Sequence, residues 1–417
     1  MRNRLLILWA SLLLSEFVFG QDDYRPDRQH RFSLEAGGDF CLQSNSLTNE
    51  FMNKYLYGKF IDGELMQKQL NRLPSGMRTG IDLSFQLMAE YCTDTLRKNA
   101  IKFWATEHSL VGLRLESDLA RLILHGNKQF EGDSAQFSHG GLVAMHYQTF
   151  EVGWGMQKSL KRYVVNASIR GGLACGTSRL ESVFERGYLY TAPYGEYLDI
   201  DVGFHGFIND TAGSDMFKPS GYGFSTGLQA EVVENGKQRF FFGISDIGML
   251  WWDKDAVELS LDTSFVFNGF QIDDVLNIDS TLFGDFNVDS MSQKYIHSAG
   301  TVERKTWLPV FFQLEYERKF SREISVFSAL SYRMGVYSLP SLLVKAAYSF
   351  GNITPSLVLR AGGYGKLSAG IEVQLATSDF HHRLILGSAF LDGQLLPKHT
   401  GGQGFYIRYA FHPKSWK

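Results

Sequence analysis

Proline is scarce in this chain, cysteine nearly absent, and no long apolar run follows the first twenty residues. Of 417 residues, 9 are Pro and 3 are Cys. Cys41, Cys92 and Cys175 are too few and too widely spaced for a disulfide framework or a zinc pattern. They read as isolated small side chains on strands. A net charge of -3 excludes the basic surface that nucleic acid demands. Without a stretch of ~20 apolar residues, no membrane-spanning helix forms after residue 20. The 11 histidines make no His-x-x-x-His or His-Glu-x-x-His pair. The glycine-rich Gly221–Gly227 lacks phosphate-loop spacing and opens a strand rather than a helix. These absences leave no catalytic, metal or cofactor residues to name, so the sequence reads as a non-enzyme.

What is present is glycine, 42 residues of it, and an aromatic content of 14%. That combination suits strands and turns. Alternation recurs along the chain. In "IDLSFQLMAEY", Ile81, Leu83, Phe85, Leu87, Ala89 and Tyr91 oppose Asp82, Ser84, Gln86 and Glu90. "YVVNASIRGGL" sets Val165 and Ile169 against Asn166 and Arg170. "LDIDVGF" sets Leu198, Ile200 and Val202 against Asp199 and Asp201, and "VELSLDTSFVF" opposes Leu259 and Leu261 to Asp262. Near the C-terminus, Phe405, Ile407, Tyr409 and Phe411 face away from Tyr406 and Arg408. Period two with one apolar face marks strands.

A soluble sandwich and a transmembrane barrel both use such strands. The alternating segments run about 9–12 residues, as a tilted strand crossing hydrocarbon needs, against about 5–6 in soluble sheets. Charges sit mid-strand, and aromatics sit near the strand ends where a membrane girdle belongs. The expected fold is therefore all-β, an antiparallel transmembrane β-barrel with short helical segments in loops or lumen. About sixteen candidate strands start near residues 32, 79, 100, 138, 161, 197, 222, 238, 256, 307, 323, 341, 354, 367, 381 and 403; merging weak ones gives fourteen.

An even count puts both termini in the periplasm and the long gaps outside: Gln43–Arg78, Leu110–Phe137, Cys175–Glu196 and Asn268–Thr306. By the same parity Trp251 and Trp252 of "WWDKD" anchor a periplasmic turn. The lumen face is expected to hold Asp82, Gln86, Glu90, Arg170, Asp199, Asp201, Asp262, Arg333, Arg360, Glu372 and Arg408. Lipid is expected to meet Phe405, Ile407, Tyr409 and Phe411. Mixed signs on the lumen face suit salt bridges across a filled or gated interior. Arg2, Arg4, the apolar run Leu5–Leu14 and Gly20 read as a signal peptide over 1–20. A periplasmic segment over 21–31, a barrel over 32–411 and a tail over 412–417 follow. Helical spacing suggests a turn capped by Thr48 in "NSLTNEFMNKYL" and a helix capped near Ser117 and ended by Gly126. The acidic "QIDDVLNIDSTLFGDFNVDS" reads as a solvated loop.

Several stretches carry a family resemblance: "SNSLTNEFMNKYL", "ESDLARLILHGNKQFEG", "ISDIGMLWWDKDAVELSLDTSFVFNGFQIDD" and the last third, from "LPVFFQLEYERKFSREISVFSALSYRMG" to "YIRYAF". The chain resembles a Bacteroidota outer-membrane barrel family of unknown function. That family is related to the long-chain fatty-acid-transporter-like barrels, which include the attachment barrel of the type IX secretion system. The resemblance implies about fourteen strands in the outer membrane of a Gram-negative bacterium, with no catalytic residues, cofactor or ligand. The "HPKSWK" tail departs from the usual terminal aromatic. The expected role is a gated carrier or channel for a small compound of hydrophobic character. The alternative is a non-transporting scaffold with envelope protein partners, for protein secretion or barrel insertion.

Overall fold

The computed structural model describes residues 31–73, 76–94, 98–209, 219–252, 256–268, 297–301, 304–378 and 381–413. The signal-peptide reading, the acidic loop and the last four residues of the tail fall outside them.

Among the described residues nineteen strands form, and fourteen of them close into an antiparallel barrel. The first part of the wall is β1 (Phe32–Ser44), β2 (Met77–Cys92) and β3 (Asn99–Leu115). A short β4 (Asp133–Gln136) lies outside the wall, which continues with β5 (Gly141–Leu160) and the 29-residue β6 (Tyr163–Thr191). After β7 (Leu198–Asn209) come β8 (Gly221–Glu234) and β9 (Gln238–Trp252), again wall strands. Next are β10 (Val257–Phe267), β11 (His297–Thr301) and β12 (Lys305–Trp307). The wall finishes with β13 (Phe311–Lys319), β14 (Ile324–Arg333), β15 (Ser341–Tyr348), β16 (Ile353–Gly362), β17 (Ser368–Ala376), β18 (His382–Ser388) and β19 (Gly402–Phe411). Closure comes from β19 pairing with β1, from Leu34↔Phe411 to Gln43↔Gly402.

Turns at one end are tight. Asn235 and Gly236 both have positive φ, 48° and 66°, between β8 and β9. Asn-Gly meets the demand of a mirror-image hairpin turn, which matches the strand twist. At the opposite end the connections are long and carry the helices α1 (Asn49–Leu56), α2 (Gly63–Leu70) and α3 (Ser117–His125), with α4 (Leu391–Leu395) in the β18–β19 loop. Thr48 caps α1 by accepting from the Phe51 N–H, and α3 ends at Gly126 with φ 80°. Leu70, Leu73, Leu119, Phe130 and Phe137 pack these loops onto the strand ends at Met77 and Leu115. The helices thus lie on the rim and not inside the barrel. Among the described residues, no helix is long and apolar enough to cross a membrane, and the three cysteines are unbridged.

The outer face is apolar and exposed, with Val152, Ile169, Leu173, Leu314, Leu357 and Ile371 among its side chains. Tyr91, Tyr163, Phe320, Phe350 and Tyr409 stand exposed near the tight turns. A closed barrel with this surface satisfies its backbone internally and needs lipid outside.

Two strands predicted to cross do not. The upper half of β6 pairs with β7, and β7 with β10, while the lower half of β6 pairs with β8. β7 and β10 therefore extend the sheet beyond the wall. Counting both as crossings shifts parity for the two strands between them, β8 and β9. Trp251 and Trp252 consequently sit at the long-loop end and not at a periplasmic turn. Asp199, Asp201 and Asp262 lie on the extension and not in the lumen; Asp201 and Asp262 bracket Arg186, and all three are solvent-exposed.

Ile407 lies mid-strand on β19, beside Gly38 of β1 and the exposed Leu386 of β18. Ile407→Arg should destabilise the barrel by about 2–4 kcal/mol if its position is the bilayer midplane. Heat-modified migration in gels checks this: the variant should lose its compact form at a lower temperature than the parent.

Candidate functional site

The lumen face is built from alternate residues of the wall strands, and their charges are paired. On one side Lys345 Nζ donates to both Glu372 oxygens at 3.0 and 3.1 Å, and the Tyr406 hydroxyl donates to Glu372 at 2.6 Å. Across the wall, Arg239 holds Glu231 at 2.5 Å and Glu315 at 2.6 Å. Gln313 donates to the other Glu315 oxygen at 2.6 Å. Arg170 meets Glu151 at 2.9 Å and lies 5.0 Å over the Trp104 ring. Glu90 pairs with Lys102 at 2.8 Å near the tight-turn end. Buried charges persist only when paired in this way.

A further cluster depends on a β-bulge in β9. Register with β8 slips between Thr226 and Leu228, and Asp246 takes φ 58°. Positive φ is strained for most residues, though Asp tolerates it better than most. The bulge reverses the inward parity of β9. Arg239, Phe241 and Gly243 line the lumen before it; Asp246, Gly248, Leu250 and Trp252 do so after it. Arg333 Nη1 donates to Asp246 at 3.1 Å and to the Tyr147 hydroxyl at 3.2 Å. Tyr147 in turn donates to Asp246 at 3.2 Å, and His108 Nε2 stands 3.8 Å from it.

Above this cluster, toward the long loops, lies an apolar layer. Leu110, Met145, Tyr147, Leu250, Trp252, Leu308, Val336 and Tyr364 are buried against one another. Val336 belongs to the β14–β15 loop and Tyr364 to the β16–β17 loop, so both cross from the opposite wall. They dock where β2, β3 and β5 carry glycine. A Cβ on Gly80 would come within 2.3 Å of the Tyr364 ring, and one on Gly112 within 1.9 Å of the Val336 carbonyl oxygen. One on Gly141 would come within 2.3 Å of the Tyr337 hydroxyl. The Gly362–Gly363 turn, with φ 95° and 70°, sends Tyr364 inward.

Below the layer is a cavity of about 110 Å³, lined by Asp39, Asp82, Gln86, His108, Arg170, Gln229, Asp246, Arg333 and Arg360 with several hydroxyl side chains. The structure thus gathers Asp82, Gln86, Arg170, Arg333 and Arg360 of the predicted lumen residues around one space. Glu372 and Glu90 stand in wall pairs, and the Arg408 guanidinium lies 5.2 Å from the Tyr406 ring. Phe405, Ile407, Tyr409 and Phe411 fall on the opposite face of β19. Trp252 is 2% exposed and donates to Thr306 Oγ1 at 2.7 Å, while Trp251 is 42% exposed on the outside. Asp246, Tyr147, His108 and the glycine row were not singled out from sequence. The polar "SDIG" interrupting an apolar run is the one local sign of the bulge. The open space is lined by these charged and amide side chains together with Phe241, Phe311, Ala329 and Leu343; the apolar side chains toward the outer loops pack on each other.

The Lys345–Glu372 pair gives a direct test of this interior. Lys345→Met should cost about 3–5 kcal/mol, because Glu372 keeps its burial and loses its cation. Pairing it with Glu372→Leu should restore more than half of that loss. Denaturant unfolding in lipid vesicles measures both.

Three solved structures illustrate the barrel's likeness to known chains. A deletion mutant of the monoaromatic hydrocarbon channel TodX aligns with TM-score 0.44 and 9% identity over 93% of this chain and 91% of that one. The Pseudomonas putida toluene transporter TodX aligns at 0.39 and 9%, over 91% and 88%. A Pseudomonas aeruginosa FadL homologue aligns at 0.39 and 8%, over 91% and 89%. No curated protein matches the sequence. The model of the family of unknown function DUF5723 matches residues 34–385, and the chain belongs to that family.

Proposed function

We propose that the protein is a gated carrier or channel of the outer membrane for a small compound, closed at its long-loop end. The observation that carries this reading is the apolar layer seated in the glycine row above the cavity. Loops that merely filled a barrel would need no side-chain-free strip to receive them. Gly80 and Gly112 are register partners on β2 and β3, so the strip is continuous across two strands. An apolar constriction blocks ions and water without a solid plug and opens by a small displacement. The exposed apolar outer face supports a position in lipid, with the tight turns in the periplasm and the long loops outside. A solute would meet an apolar layer first and fixed charges next, which suits a small compound with both characters.

A scaffold role draws on a different observation. The β7–β10 extension stands beyond the wall, and its exposed Asp201 and Asp262, with Arg186 of β6, offer a charged face to an envelope partner. Crosslinking before mild extraction tests it. A stoichiometric partner held through the extension supports the scaffold; a lone barrel counts against it.

The gate has its own test. In planar bilayers the parent should show rare openings. Gly112→Val removes the space for the Val336 carbonyl, and Tyr364→Ala thins the layer. Both variants should conduct more often than the parent while keeping heat-modifiable migration. Unchanged conductance in both, with intact barrels, would overturn the gate.

A further inference from the structure

Three residues in the wall of the cavity hold buried polar atoms without a protein partner, acceptor and donor alike. Asp39, Gln86 and Arg170 line it and are 4%, 6% and 7% exposed. Asp39 Oδ1 accepts no hydrogen bond, and Gln86 Nε2 and Arg170 Nη1 donate none. Buried polar atoms left this way are rare in folded proteins, and each costs about 1–3 kcal/mol. Three such residues around one space point to a group that completes them when the walls close on it.

The signs decide what that group is. Arg170 is held by Glu151, and Arg333 by Asp246 with Asp82 4.0 Å away. What these pairs leave open is an acceptor on β1 with donors on β2 and β6. A lone carboxylate would suit Gln86 and Arg170 but meet the Asp39 carboxylate. A lone ammonium would suit Asp39 but meet Arg170, Arg333 and Arg360. A zwitterion satisfies both sets and adds no net charge to the cavity. Size sets the second limit. About 110 Å³ is smaller than the ~150 Å³ of an engineered cavity that holds benzene. It fits a head group of a few heavy atoms. The roof is apolar, since Leu110 follows His108 by two residues on the same face of β3 and Tyr147 belongs to both layers.

We propose that the cavity binds the paired ammonium and carboxylate of a small zwitterion, with α-amino acids bearing an apolar side chain as the class carried. Asp39 takes the ammonium; Gln86 and Arg170 take the carboxylate; the apolar layer receives the side chain. This rests on the gated-conduit reading for its route, and on the cavity alone for its chemistry.

Two readouts test it. In proteoliposomes holding the full-length protein, uptake above that of protein-free vesicles should be larger for L-leucine than for 4-methylpentanoate, which lacks the ammonium, and larger than for 3-methylbutylamine, which lacks the carboxylate. Calorimetry in detergent should show leucine binding that weakens about tenfold or more in Asp39→Asn and Arg170→Gln, as expected for losing a hydrogen bond to a charged group. Should Arg170→Gln fail to insert, Gln86→Leu takes its place. Equal behaviour of leucine and the acid, or of leucine and the amine, overturns the zwitterion site. So does binding that ignores Asp39. The Gly112→Val variant separates the two readings. If it conducts salt while leucine shows no preference, the site falls and the conduit stands. Asp39-dependent leucine binding, with no variant conducting, keeps the site and removes the conduit.

Discussion

The β1–β19 ladder is the constraint on which the rest of the molecule depends. Ten consecutive residue pairs join the two ends of the wall, and without them two strand edges would face hydrocarbon. Hydrocarbon offers no hydrogen-bond partner, so an open edge there is prohibitive. Closure splits every wall strand into two chemistries that alternate residue by residue. Outward positions must be apolar. Inward positions are released from that demand and hold charge, provided each charge finds a partner. The Lys345–Glu372–Tyr406 and Glu231–Arg239–Glu315 groups are that condition being met, strand against strand, around the lumen.

Wall height is the second consequence. Strands β2, β3, β5 and β6 have 16, 17, 20 and 29 residues, whereas β13 to β19 have 7 to 10. A tilted strand needs roughly 9–11 residues to cross the bilayer. The short side therefore ends near the membrane surface while the tall side continues past it. Turns at the top of the short side face the inner surface of the tall side. Val336, Tyr337 and Tyr364 cross that gap and seat on glycines, where backbone meets backbone or ring without an intervening Cβ. The same height difference leaves the upper half of β6 without β8 as a neighbour. β7 and β10 cover that edge.

Alternation makes most of this legible in sequence. The apolar and charged faces of β2, β6, β17 and β19 follow directly from period two, and so do Asp82, Gln86, Arg170, Arg333 and Arg360 around the cavity. Two things defeat the same logic. Period two reports a half-buried strand and not what lies on its apolar side; β7 alternates like a lipid-facing strand, yet its Val202 and Phe204 pack with Phe184 and the loop cluster beside it. A bulge inserts one residue and reverses inside and outside from that point on. The bulge at Asp246 makes Leu250 and Trp252 lumenal, and a second in β6, opposite His146/Tyr147, does the same for Arg179. Contacts across the lumen, such as Tyr364 on Gly80, join residues far apart in sequence and leave no periodic trace.

The bulge also ties the charges to the apolar layer. Tyr147 is counted twice: its ring belongs to the apolar layer, and its hydroxyl bonds Asp246 and Arg333. Arg333 ends β14, three residues before Val336, and also donates to the Pro309 carbonyl beside Leu308 of the layer. Arg333 thus links the Asp246 carboxylate to the chain segments that carry Val336 and Leu308. Strain at Asp246, which a regular strand would avoid, persists because the wall on either side over-determines it. The arrangement places Asp246, the residue of β9 with positive φ, where the charged cluster meets the apolar layer, so that the cavity wall and its roof share a single carboxylate.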